Sequence, residues 1–190
     1  MRGLALGLLL LGCTKAPPAA PASQPASAPA SAPADPMARV KQAGMTLGRA
    51  LQDKLLVELA KGGPGGAVEA CASEAQAITK KVAEETGVRV GRASLRLRNE
   101  ANAGPDWVRS WLEAQGERTA TGLEPLLTKT ATAARFLKPI EISGVCLPCH
   151  GAELDPSVAQ VLGERYPNDA ARAYDVGALR GALWAELPLQ

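Results

Sequence analysis

The segment Cys146-Leu147-Pro148-Cys149-His150 holds the residue types and spacing that most directly suggest chemistry. Two thiols three positions apart let both sulfurs bond the vinyl carbons of a haem, and the imidazole that follows at once coordinates its iron. C-x-x-C-H spacing of this kind reads as c-type haem attachment. His150 is the single histidine among 190 residues. Three other chemistries use the same residue types. A Cys146–Cys149 disulfide with His150 merely adjacent suits an exported chain. Zinc would find three thiolates and one imidazole in Cys71, Cys146, Cys149 and His150, although structural zinc ordinarily spaces its histidine away from its paired cysteines. A thioredoxin-type dithiol would need a βαβ unit, and none is expected around the motif. No paired carboxylates and no nucleophile with a base stand near the motif, so an enzyme is not expected.

With the sole histidine on one side of the iron, two-histidine ligation within this chain is excluded. The other axial position falls to a Met, a thiolate, water, a gas or nothing. The candidates are Cys71 and the methionines Met37 and Met45, with Cys71 preferred. Cys71 is equally readable as a small residue packing inside a helix stripe.

These residues must be positioned by the surrounding elements. Val40, Met45, Leu47, Leu51, Leu55, Leu56 and Leu59 have the spacing of an amphipathic helix from Pro36 to about Gly62, stopped by Gly62-Gly63-Pro64. Pro64 to Glu85 places Val68, Cys71, Ala75, Ile78 and Val82 at steps of three and four, so a second helix ends at Gly87 with Cys71 facing inward. Residues 88–98 alternate as a strand, with Arg92, Arg96 and Arg98 on one face and Ala93, Leu95 and Leu97 on the other. Three arginines on one face suit anions. Pro105-Asp106 opens a short helix through Trp107, Trp111 and Leu112, and Gly116 and Gly122 bracket a short strand. Strands are expected over 131–142, leading into the motif, and over 177–187. Helices followed by antiparallel strands give an α+β domain.

The ends and composition place this domain. Met1-Arg2 and the apolar run Leu4 to Leu11 form an export signal too short to span a bilayer as a mature helix. Its end, Leu10-Leu11-Gly12-Cys13, resembles the lipobox of bacterial lipoproteins, in which the cysteine is acylated and becomes the new N-terminus. The alternative is an ordinary signal with an incidental cysteine. The expected organisation is a lipoprotein signal peptide at 1–12, an Ala/Pro/Ser-rich linker at 13–36 beginning with lipidated Cys13, and a folded domain at 37–190. Pro-rich chain extends about 3.1 Å per residue, so the linker holds the domain on the order of 60 Å from the membrane. The location is extracytoplasmic, on the periplasmic face. Thr14 lacks the Asp that retains lipoproteins at the inner membrane of a Gram-negative host, which favours the outer one. Hydrophobic residues make up 46% of the chain but aromatics only 3%, so a flat cofactor would help fill the core. A net charge of +2 provides no field for holding nucleic acid.

Val90-Gly91-Arg92-Ala93-Ser94-Leu95-Arg96-Leu97-Arg98-Asn99, Ala101-Asn102, Pro105-Asp106, C-x-x-C-H-Gly, Tyr166-Pro167-Asn168-Asp169 and Gly177-Ala178-Leu179-Arg180-Gly181-Ala182 together resemble the PAS-like c-type haem-binding domains. These occur alone or as the extracytoplasmic input of histidine kinases and chemoreceptors. The resemblance covers roughly residues 40 to 187. It implies N-terminal helices packed on an antiparallel sheet, with one covalent haem c. It also favours Cys71 over Met45 as the ligand opposite His150, because family members carry a cysteine in the helix after a Gly-Pro turn like Gly63-Pro64. Ala93 departs from a frequent Thr, and Arg172-Ala173-Tyr174 from a usual Gly-Tyr. Arg92, Arg98 and Arg180 are candidates for the haem propionates, since guanidinium forks match carboxylates. The implied function is a haem-based redox or small-ligand sensor, with a gas at the iron, a signalling or redox partner and the membrane as its contacts. The alternatives are a membrane-tethered electron carrier and a zinc or dithiol protein without haem.

Overall fold

The computed structural model describes residues 35–116 and 119–189. The signal, the linker and Cys13 lie outside the described residues. Helix α1, Pro36–Thr86, starts where the Asp35 carboxylate accepts the N–H groups of Met37 and Ala38 at 3.3 and 3.1 Å, with Pro36 in the first turn. Both features satisfy or remove orphan donors of a helix start. It ends where Gly87 takes a left-handed conformation and donates to the Ala83 carbonyl at 3.0 Å. Gly63, at φ 63° and ψ −165°, breaks the helix before Pro64. That conformation favours glycine, so the expected pair of helices is present as two arms, residues 36–62 and 64–86.

The first arm buries Val40, Ala43, Gly44 and Leu47 against Val88, Val90, Ala134, Phe136, Leu183 and Ala185. Met45 follows Gly44 by one residue and so points about 100° away from this row. It is 42% exposed, contrary to its expected place in the inward stripe. Phe136 and Leu137 are essentially fully buried, worth roughly 1.5–3 kcal/mol each.

The sheet contains β1 (Arg89–Ala93), β2 (Leu126–Lys129), β3 (Ala133–Glu141) and β4 (Leu179–Pro188), in the order β1-β4-β3-β2, with every pairing antiparallel. Side chains alternate across it. Ala134, Phe136, Leu183 and Ala185 face α1. Leu137, Ala182 and Trp184 belong to a second cluster with Val108 and Leu112 of α2, Asp106–Gln115. The α+β class and the helix on an antiparallel sheet are as expected.

Three features differ. The strand expected over 88–98 stops at Ala93. There the Ser94 hydroxyl accepts the Arg96 N–H at 3.1 Å and lies 2.9 Å from both the Arg96 and Arg180 carbonyls, which share its one proton, and this turns the chain out of the sheet. Arg96 and Arg98 therefore do not share a strand face with Arg92, and the alternation that suggested one is broken. The short strand sought between the glycines is a single antiparallel bridge, Thr119 with Ala178. Strand β2 and a helix after the motif, Pro156–Arg165, were not anticipated. Among the described residues no helix is long and apolar enough to cross a membrane.

Candidate functional site

The motif follows directly from β3. A tight helical turn, Gly144–Cys146, runs into the single-turn helix α3, Leu147–His150, and the helix Pro156–Arg165 is α4. Residues three apart on a helix lie on one side, so the turn brings Cys146 and Cys149 to the same face. Gly151 N–H donates to the Leu147 carbonyl at 2.8 Å and Asp155 N–H to that of Pro148 at 2.9 Å, which closes the turn. Cys71, Cys146 and Cys149 are all free thiols. All three, with His150, line one cavity of ≈ 310 Å³ walled by Leu55, Leu56 and Leu59 of α1 and by Ile140 and Ile142. The chain thus brings together residues as far apart as Cys71 and Arg180. The motif comes from the β3 end, Cys71 from the second arm of α1, Arg92 from β1 and Arg180 from β4.

His150 is presented for coordination. Its Nδ1 lies 2.8 Å from the Ala171 carbonyl. A carbonyl only accepts, so Nδ1 carries the proton and Nε2 keeps its lone pair. Burial, aided by the charges of Arg98 and Arg180, pushes the imidazole pKa down to about 4 against the opposing Ala171 bond. The ring is therefore neutral at pH 7. Tyr174 stands edge-on to it, with centroids 6.3 Å apart and planes at 83°.

Cys71 is half-buried in the cavity wall, and burial raises its thiol pKa, opposed by Arg92 and Arg98. The methionines do not compete. Met45 is on the exposed side of α1, and Met37 packs against the Val40–Phe136 core, so neither lines the cavity. The fallback to Met45 is corrected by the direction of the α1 stripe.

All three candidate arginines line the cavity, yet they stand differently. Arg92 is held with its Nε buried and without a hydrogen-bond partner, and burial lowers its pKa. Arg98 is engaged: its fork meets both Asp169 oxygens at 3.1 and 3.2 Å, and its terminal nitrogen donates to the Cys149 carbonyl at 2.6 Å and the Ala171 carbonyl at 3.3 Å. Arg180 donates to the Ser94 hydroxyl at 2.6 Å and to the Arg96 carbonyl at 3.2 Å, with its guanidinium 5.5 Å from the Tyr174 ring. Sequence reasoning missed Asp169, Ala171, Tyr174 and the leucine wall. The Tyr166-Pro167-Asn168-Asp169 run was visible only as part of a family pattern, not as a site.

The cavity suits a haem in its chemistry. It offers two thiols on one face, a neutral imidazole with a free Nε2, a thiol in the cavity wall, apolar walls and a buried cation with an orphaned donor. The alternatives fare worse. Among the described residues no three His, Cys, Asp or Glu side chains are grouped to hold a metal ion, so the zinc quartet is not assembled. The described sheet is wholly antiparallel, without the βαβ unit of a thioredoxin-type dithiol.

A family model described as Tll0287-like matches residues 19–188. Among solved structures, the chain is similar to the cyanobacterial haem protein Tll0287, at 22% identity and a TM-score of 0.60, over 77% of this chain and 92% of that one. At that identity the likeness speaks for the fold. No curated protein matches.

Proposed function

Because the chain belongs to the Tll0287-like family, and because its motif, imidazole and lone wall thiol line one cavity, we propose that it is a monohaem c-type cytochrome acting as a redox or small-ligand sensor. The observation that carries this reading is the joint placement of Cys146, Cys149, His150 and Cys71 around a single apolar cavity. The structural neighbour's description as a haem protein supports the cofactor.

Cys146 and Cys149 would hold the haem covalently, His150 Nε2 and the Cys71 thiolate would bind its iron, and Arg92 would meet a propionate. When bound, the haem supplies an iron that changes oxidation state and takes a small ligand. The chain's residues set its properties. The Ala171 carbonyl orients His150 and raises its basicity. An anionic sulfur favours ferric iron, so a low midpoint potential is expected. Ile140 and the buried Ile142 give the cavity an apolar inner wall. Arg98 and Arg180 hold their neighbouring loops, through Asp169 and through Ser94 and the Arg96 carbonyl.

The protein is exported and lipid-anchored at Cys13, with the domain held off the periplasmic face, outer membrane favoured, by the Pro-rich linker. This part rests on residues 1–36 alone. On this reading the role is binding and not catalysis, since the sole imidazole is committed to the iron. Electron transfer to a partner is the second reading. It is favoured by the exposed Leu55, Leu56 and Val145 at the cavity mouth, Val145 being 75% exposed. Spectra separate the two. A sensor loses Cys71 ligation on reduction and binds carbon monoxide, whereas a carrier keeps both axial ligands and does not. A Soret band in ferric protein that does not respond to Cys71→Ala would remove the thiolate from the account.

A further inference from the structure

The segment that follows α4 holds the motif at three points. Ala173 N–H donates to the Gly151 carbonyl and Tyr174 N–H to the His150 carbonyl, at 2.9 Å each. The Ala171 carbonyl takes the His150 Nδ1 proton. At the head of this strap is Asp169, whose side chain is 0% exposed. It accepts from Ala171 N–H at 2.9 Å, from both donors of the Arg98 fork, and from Arg172 Nε at 2.9 Å. Arg98 in turn reaches the Cys149 carbonyl. One buried carboxylate is therefore a single hydrogen bond from Ala171, which holds the imidazole, and one side chain from Cys149.

We propose that Asp169 is the positioning residue of the site: it fixes Ala171 both directly and through Arg98, whose terminal nitrogen donates to the Ala171 carbonyl at 3.3 Å, so that this carbonyl selects the Nδ1–H tautomer of His150, and through Arg98 it also keeps Cys149 in register beside it. Asp169 touches neither ring nor thiol and acts only through these two partners. The assignment gives Arg98 a structural duty in place of the propionate contact expected from sequence. A buried carboxylate held by two arginines is costly unless every oxygen is used, and here both oxygens are used. The inference deepens the haem reading and rests on it for its second readout, not its first.

The single histidine makes the first readout direct. In the full chain without haem, nitrogen-detected imidazole correlations report the tautomer of His150 and nothing else. The wild type is expected to show Nδ1–H predominantly. Asp169→Asn keeps the shape and the Ala171 bond but removes the charge that holds Arg98, and is expected to move the tautomer ratio about tenfold toward Nε2–H, the weight of one hydrogen bond. Arg98→Lys, which keeps the charge but loses the fork, should do the same, and the two changes together should add little to either. Lys80→Gln, an exposed change outside the Asp169 network, should leave the ratio unchanged and serves as the folded control. In the haem-loaded chain, Asp169→Asn should shift the midpoint potential and raise the fraction of protein with one thioether in place of two. A tautomer ratio and potential both unmoved in folded Asp169→Asn would overturn the assignment. A shifted ratio in a chain that takes no haem would leave the positioning role standing and remove the haem reading. Should Asp169→Asn not fold, Arg98→Lys decides by the same readings.

Discussion

Replacing Arg92 with Met should make the haem-free chain more stable and the haem-loaded chain less so. Arg92 is half-buried at the cavity wall, its buried Nε has no partner, and burial lowers its pKa against the opposing influence of Cys71 and Tyr166. An unsatisfied buried donor costs roughly 1–3 kcal/mol, and a charge in a poorly solvated site adds to that cost. Met has similar length and no donor to leave unpaired, so the haem-free chain should gain about 1–3 kcal/mol. With a urea slope of roughly 1–3 kcal/mol per molar for a small domain, the midpoint rises by about 1 M and the slope is unchanged. Urea unfolding followed by far-ultraviolet circular dichroism, on chain produced without haem maturation, measures it. In the matured protein the sign reverses, because a propionate that had a cationic partner is left without one. A midpoint that falls in the haem-free Arg92→Met chain would show that Arg92 is satisfied by the protein itself, and the argument that it waits for an anion would fail.

Acid should expose the neutral imidazole. The folded pKa of His150, about 4, lies below the ordinary 6.5, so the unfolded chain takes up the proton first. Stability is therefore complete above pH 6.5 and falls as pH drops toward 4, by about 3 kcal/mol for this group. Unfolding free energies of haem-free wild type and His150→Gln, compared at pH 7.5 and 4, should diverge by that amount, and parallel profiles would contradict it. Asp169 adds a later loss: burial resists its ionisation, but the bonds from Arg98, Ala171 and Arg172 outweigh that and hold its pKa below the usual carboxylate value. Its contribution is present above the unfolded carboxylate pKa and is lost as pH falls through the folded one. Met45→Leu should leave the matured spectrum untouched, since the side chain is on the outside of α1, whereas a changed ferric spectrum would return methionine to the list of ligands.

The motif, the two arms of α1, the short helix at Pro105-Asp106 and strands β3 and β4 were legible because each carries a local signal: fixed thiol spacing, a Gly-Pro break, a Pro start, a dense apolar run. Met45 misled because a helical stripe defined by seven apolar residues is wider than the buried row, which Gly44 narrows by letting Phe136 approach. A Cβ on Gly44 would sit 2.5 Å from that ring. Alternation through Arg96 and Arg98 misled for a different reason. Ser94 bonds to its own neighbours and to Arg180, a partner 86 residues away, and no window of sequence contains that competitor. The arginines were identified as a set, but which of them is free depends on Asp169 and on the Arg96 carbonyl, contacts that exist only after folding. Helix α4 had its signal in Asp155-Pro156, a cap followed by a first-turn proline, overshadowed by the motif just before it.

The intact mass of the full chain matured by a c-type haem system decides whether it carries covalent haem. The mass should be increased by one haem that survives denaturation, and the increase should be lost when Cys146 and Cys149 are both replaced by Ala. A mass equal to that of the bare chain, or one increased only by a metal ion that denaturation releases, would contradict it.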